Sequence, residues 1–266
     1  MLIDTHAHLD FEQFHDDREK VLKNAKKAGV EKIINVGSSL QGSIDSVKLA
    51  QSCDQIYAAV GIHPEDIDGI NGNVMAQITE LAQKPKVVAI GEIGLDYFHN
   101  SKNKEKQKRE MIVQIGIARR FSLPLIIHCR DAENDVLEIL KEEAEGLKGV
   151  LHCFSGDWIF AKKILDIGFL ISFTGAITYK QKKKENEDPR GCEYKSDVHK
   201  AIEKIPLEKM MVETDSPFLT PEPYRGKRNE PAYVVEVAKK IAEIKNISFS
   251  EVAKTATKNA ENLFKL

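Results

Sequence analysis

The chain has 266 residues, 39 of them basic and 41 acidic, for a net charge of −2; it is 42% hydrophobic and 30% charged. This composition suits a soluble globular core of enzyme size and excludes a globally basic nucleic-acid coat, though not an enzyme that meets phosphates through metal ions and one local basic patch. No stretch approaches the roughly 20 consecutive apolar residues of a membrane span, and the first residues lack a basic segment followed by a long apolar one, so the expectation is a cytoplasmic protein with no membrane partner, monomeric by default.

Taken in chain order, short β-rich apolar runs alternate with longer amphipathic ones. Strands are predicted at 2–5, 32–36, 56–60, 87–91, 125–128, 150–152, 169–173 and 210–213, and helices near 17–28, 43–52, 73–83, 103–121, 133–144, 158–167 and 195–204, with two more at 231–244 and 249–264. Gly29, Gly146 and Gly168 fall where helices should end. Strand–helix alternation implies parallel β-α-β units, and eight of them predict a TIM-type (β/α)8 barrel over residues 1–266. The rival doubly wound sheet lacks its Gly-rich turn after the first strand. A polar stretch near 180–194, centred on 181–192, reads as an inserted loop, either at the barrel mouth or simply a solvated surface loop. Cys53, Cys129, Cys153 and Cys192 form no C-x-x-C pair and read as free thiols that fill small spaces.

The chemistry gathers at the C-terminal ends of these strands, where barrel enzymes build their sites. The first strand runs into His6-Ala7-His8, whose histidines at i and i+2 share a face. Later strand ends carry His63, Glu92, His128, His152 and Asp215. Packing so many ionisable groups together unpaired would cost several kcal/mol each, so a metal site is the expectation. His6, His8, Glu92, His128, His152 and Asp215 are six candidate ligands. A single tetrahedral catalytic zinc takes only three protein ligands plus water, whereas two ions roughly 3.5–4 Å apart accommodate six. Glu92 is the candidate bridge, with His6, His8 and Asp215 on one ion and His128 and His152 on the other. His-rich ligation suits several divalent ions, and Mg, Mn and Zn are all compatible with the expected chemistry.

Six blocks carry a resemblance. They are Asp4-Thr5-His6-Ala7-His8, Gly61-Ile62-His63-Pro64, Gly91-Glu92-Ile93-Gly94-Leu95-Asp96, His152-Cys153-Phe154-Ser155-Gly156, Glu213-Thr214-Asp215-Ser216-Pro217 and Arg225-Gly226-Lys227-Arg228-Asn229-Glu230-Pro231. In sequence and order they resemble the signature blocks of the TatD family of metal-dependent deoxyribonucleases, within the amidohydrolase-like metal hydrolases. The resemblance covers essentially the whole chain. It implies the same six ligands, hydrolysis of DNA by metal-activated water, and often 3′-to-5′ exonuclease action on DNA ends. The 181–192 stretch is longer than that pattern expects.

The remaining residues have two readings each. His63 either contacts a phosphate oxygen and assists proton transfer, as a third catalytic residue beside Glu92 and Asp215, or is structural. Asp96 either orients a ligand histidine from behind or caps the next segment. Arg130 either stabilises phosphate charge or pairs with Asp131. Arg225, Lys227 and Arg228 either bind phosphate or form a charged turn. Tyr97 and Phe98 either stack on a base or pack the rim. Asp215, a ligand, is also the expected proton acceptor. The alternative function is an amidohydrolase or lactonase cutting a C–N or ester bond. Many such barrels bridge their ions with a modified lysine, whereas here the fourth strand supplies Glu92. A non-enzymatic binding protein would have little use for an intact ligand set.

Overall fold

The computed structural model describes residues 1–180 and 197–266. Its strands are β1 (Leu2–Ala7), β2 (Val30–Val36), β3 (Ile56–Val60), β4 (Val87–Asp96), β5 (Leu125–Arg130), β6 (Gly149–Leu151), β7 (Leu170–Phe173) and β8 (Met210–Val212). They pair in chain order in one parallel eight-stranded sheet. A parallel bridge between Ala7 and Ser216 joins the last strand end to the first, closing the sheet into the expected barrel. The helices are α1 (Arg18–Lys27), α2 (Leu40–Ser52), α3 (Gly72–Leu81), α4 (Lys104–Phe121), α5 (Glu133–Glu143), α6 (Trp158–Asp166), α7 (Asp197–Lys204), α8 (Val234–Lys245) and α9 (Phe249–Phe264). The inserted loop expected near 180–194 lies almost wholly outside the described residues, as does Cys192.

Local chemistry sets the helix starts. Ser39, Asn71, Asp157 and Ser248 each accept a backbone N–H of the first turn of the helix they precede. Along the strands, successive side chains point to opposite faces. One set, including Ile33, Ile56, Val60, Ile90, Leu125 and Ile171, packs against the helices. The other, including Ile3, Ile34, Ala59, Ala89, Ile126, Val150 and Met211, fills the barrel with Ala260, Leu263 and Phe264 of α9. Asn259 Nδ2 also donates to the carbonyls of Leu207 and Met210, at the start of β8. Helix α9 thus covers the N-terminal end of the barrel and leaves the C-terminal end for the site.

Three strands run further at their C-terminal ends than the sequence pattern suggests, β1 reaching Ala7. β4, expected to stop at residue 91, continues to Asp96, and β5 continues to Arg130. Glycines at 91 and 94 look like a break but are the reason the pairing continues. Gly94 has φ +151°, and a Cβ there would sit 1.9 Å from the His128 carbonyl oxygen. Only a residue without a side chain lets β4 approach β5 this closely, which aligns Gly94 with His128 and Asp96 with Arg130. β6 and β8 end one residue early, so His152 and Glu213 stand just past them.

Gly94→Ala is expected to destabilise the protein by about 3 kcal/mol or more, or to prevent folding. Gly116→Ala, on the exposed side of α4 with nothing near the added methyl, should stabilise it by about 0.5–1 kcal/mol. Denaturant unfolding of both variants measures the contrast.

Candidate metal centre

The seam between β1 and β8 brings together residues over two hundred positions apart. Asp4, fully buried, accepts the Thr214 amide (2.8 Å) and the Thr214 hydroxyl (2.5 Å). Burial is the dominant influence on its carboxyl and pushes it up to about 8. The Asp215 amide donates to the His6 carbonyl and the His8 amide to the Ser216 carbonyl, both at 2.8 Å. His6 and His8 are therefore placed beside Asp215 by backbone hydrogen bonds. Asp215 itself has φ +56°, a left-handed conformation that aspartate tolerates better than most side chains.

Four of the expected ligands, His6, His8, His128 and His152, converge on a fifth, Glu92, whose residue is 4% exposed, and Asp215 joins through His6 and His8. Its Oε2 lies 3.3 Å from His6 Nε2 and 3.9 Å from His8 Nε2. Its Oε1 lies 2.6 Å from His152 Nε2, 2.9 Å from His128 Nδ1 and 3.7 Å from His63 Nε2. Asp215 Oδ1 is 3.4 Å from His8 Nε2 and 3.8 Å from His6 Nε2, and those two nitrogens are 3.2 Å apart. Ligands at about 2.0–2.1 Å from a tetrahedral ion are separated from one another by about 3.4 Å. The donor atoms are thus spaced and typed as a divalent ion requires. Among the described residues, His6, His8 and Glu92 form one cluster able to hold an ion, and His63, Glu92 and His128 form another; His6, His152 and Asp215 also converge. His63, expected to act outside the ligand set, therefore stands within reach of it.

A second layer fixes the ring orientations. His8 Nδ1 donates to the Val36 carbonyl (2.8 Å), leaving Nε2 to face the centre. Asp96 Oδ2 lies 3.1 Å from His128 Nε2, as expected of an orienting residue, and also receives His99 Nδ1 at 2.9 Å. Glu213 lies behind His152, with Oε1 3.4 Å from His152 Nδ1. The Cys153 amide and the Ser172 hydroxyl hold its two oxygens at 2.6 and 2.5 Å. Asn35 ties Leu9, Asp10 and Ser46 together beneath the His8 turn. Glu213, His99 and Asn35 were not foreseen as parts of the site. Glu213 alone carried a signal, as a carboxylate two residues before a ligand at a strand end.

The candidate substrate residues divide. Arg130 places its guanidinium 4.2 Å from the Phe98 ring centroid, and Arg225 lies 3.8 Å from that of Tyr179. The Arg228 guanidinium grips both carboxylate oxygens of Asp17 (2.9 and 2.8 Å) and lies over Phe14, so it pins the last loop to the start of α1. Lys227 stands in the same turn, where its carbonyl accepts the Thr220 hydroxyl. Tyr97 gives its hydroxyl to Asp135 (2.6 Å), beneath Lys104.

The electrostatics follow from the crowding. Burial alone would raise Glu92, but the neighbouring imidazoles of His152, His63 and His6 and the His128 hydrogen bond hold it well below the usual carboxylate range. Burial would lower His8, yet the Asp215 carboxylate outweighs it and lifts the imidazole to about 9. His152 is raised well above its ordinary value, with Glu92 and Glu213 overcoming burial. Burial, reinforced by His128, pushes His63 down to about 3, so it is neutral.

A family model described as TatD related DNase matches residues 3–265. The chain belongs to that family. It is 43% identical to the "Uncharacterized metal-dependent hydrolase YabD" of Bacillus subtilis, covering 100% of both chains. It is 33% identical to the "3'-5' ssDNA/RNA exonuclease TatD" of Pectobacterium parmentieri, again covering 100% of each. Among solved structures it superposes on YjjV, a TatD homologue from Escherichia coli K12, with TM-score 0.89 at 31% identity, over 100% of this chain and 98% of the other. The chain is a metal-dependent hydrolase of the TatD type.

Protons and metal ions compete for the same nitrogens. His8, lifted to about 9, carries a proton at pH 7 that an ion must displace, and the upward shift of His152 acts in the same direction. Binding of Mn or Zn is therefore expected to release protons at pH 7, and affinity to climb as pH rises toward about 9. Calorimetric titration in buffers of different ionisation enthalpy measures the release; pH-independent binding without release would contradict this account.

Proposed function

We propose that this enzyme hydrolyses phosphodiester bonds of DNA, from single-stranded 3′ ends, using two divalent ions held on either side of Glu92. The observation that carries the reading is the division of the Glu92 carboxylate: Oε2 faces His6 and His8, and Oε1 faces His128 and His152. The six-ligand set supports two ions rather than one. The nucleic-acid substrate is supported by family membership and by the activity named for the Pectobacterium relative.

His6, His8, Asp215 and Glu92 would hold one ion, and Glu92, His128 and His152 the other. Such ions, when bound, polarise phosphoryl oxygens and bring the pKa of water toward neutrality. The protein's own groups do the rest. Asp215 turns Oδ1 toward His6 and His8 and is the more exposed of the two central carboxylates, 14% against 5% at the side chain. Its second oxygen takes the proton from the attacking water. His63 Nδ1 accepts the Glu65 amide at 3.2 Å, which puts the ring proton on Nε2, facing the centre. A neutral imidazole N–H there donates to a non-bridging phosphate oxygen. Arg130, and Arg225 with Lys227 across the barrel mouth, add charge that steers and orients phosphate. β4 presents a glutamate at the bridging position, so no feature of the site favours the lysine-bridged amidohydrolase reading.

The test is cleavage of end-labelled single- and double-stranded DNA after chelation, with Mg, Mn and Zn restored in turn. Wild-type enzyme should shorten single strands from the 3′ end only when metal is returned. Glu92→Ala should lose about a thousandfold or more, since several kcal/mol of charge stabilisation depend on the ions. Cleavage by the chelated enzyme, or near-normal activity of Glu92→Ala, would contradict the proposal.

A further inference from the structure

Among the described residues, large apolar side chains left exposed are confined to Met1, Phe98, Val113, Ile159, Phe218 and Phe249. Two of these stand immediately past ligand-bearing strand ends. Phe218, 49% exposed, follows Asp215 by three residues, and a turn from its amide to the Asp215 carbonyl (2.9 Å) fixes its position. Its ring meets His8 edge-on at 6.4 Å and Phe11 at 6.0 Å, while Phe11 itself stacks on His8 at 4.8 Å. Phe98, 47% exposed, follows Asp96 by two residues. It carries the Arg130 guanidinium at 4.2 Å, and His99 stands against it at 4.8 Å. β4 and β8 are four strands apart in an eight-stranded ring, so the two rings rise on opposite sides of the metal centre. Leaving an aromatic ring in water forgoes the stabilisation its burial would give. Exposed rings paired across a charged cleft mark a surface that a ligand covers.

We propose that Phe218 backed by Phe11, and Phe98 backed by Arg130, are two stacking walls that hold the unpaired nucleobases flanking the scissile phosphate. This rests on the nuclease reading above. An unpaired base offers a flat π-face to a phenyl ring or a guanidinium plane, which is how proteins grip single strands without reading sequence. A base inside a duplex has both faces covered by its neighbours. The walls therefore select single-stranded ends, and they do so through stacking and not through hydrogen bonds to base edges.

The test uses single-stranded oligodeoxynucleotides whose 3′-terminal or penultimate nucleotide is either intact or a tetrahydrofuran abasic residue. Wild-type enzyme should prefer the intact substrates at both positions. Phe218→Ala and Phe98→Ala should each lose about tenfold in kcat/KM on intact strands and lose the preference at one of the two positions, with little change on the matching abasic strand. Phe218→Trp should restore the preference, and Phe249→Ala, far from the rim on α9, should behave as wild type. Alanine variants that keep the wild-type preference, or that fall equally on intact and abasic strands, would overturn the stacking walls while leaving the nuclease reading in place. A wild-type enzyme that cleaves neither substrate with any metal would overturn the nuclease reading, and the walls with it.

Discussion

A buried carboxylate shared among five imidazole rings sets the terms for the rest of this structure. Glu92 is nearly inaccessible, and His6, His8, His63, His128 and His152 all approach it within 4 Å. An isolated charge at that depth would cost many kcal/mol. It is sustained because cationic or metal-loaded nitrogens surround it, and those nitrogens come from strands on every side of the barrel. The folded barrel is what assembles the set, and metal binding in turn relieves the crowding of like donors. The two events are thermodynamically linked.

The seam between the first and last strands matters for the same reason. His6 and His8 at one end of the chain meet Asp215 near the other, through the Asp4–Thr214 hydrogen bonds and the Ala7–Ser216 bridge. A barrel that failed to close there would part Asp215 from His6 and His8 and so split one proposed half of the centre. Gly94 does the equivalent on the opposite side by letting β4 and β5 approach closely enough to set Glu92 beside His128.

Much of this was legible in the sequence. Strand ends marked by histidines and carboxylates, at intervals fitting β-α units, pointed to both the barrel and the six residues gathered around the Glu92 carboxylate. The fourth strand outran its expected end at residue 91 because Gly94 permits an approach to β5 that only the assembled sheet displays. Glu213 went unrecognised because its partners, Ser172 and the Cys153 amide, come from neighbouring strand ends 41 and 60 residues away. For Arg228 the sequence left phosphate binding and a charged turn both open, because nothing near it announces Asp17, 211 residues distant. Phe218 gave no signal at all: its meaning lies in exposure beside His8, which is a property of the assembled rim.

The central claim is that Glu92 bridges two ions. It is tested most directly by crystals of the enzyme grown with Mn or Zn and measured at the metal's absorption edge. The account predicts two anomalous peaks about 3.5–4 Å apart, one on each side of the Glu92 carboxylate, the first among His6, His8 and Asp215 and the second between His128 and His152. A single peak at saturating metal, or two peaks that do not share Glu92, would contradict it.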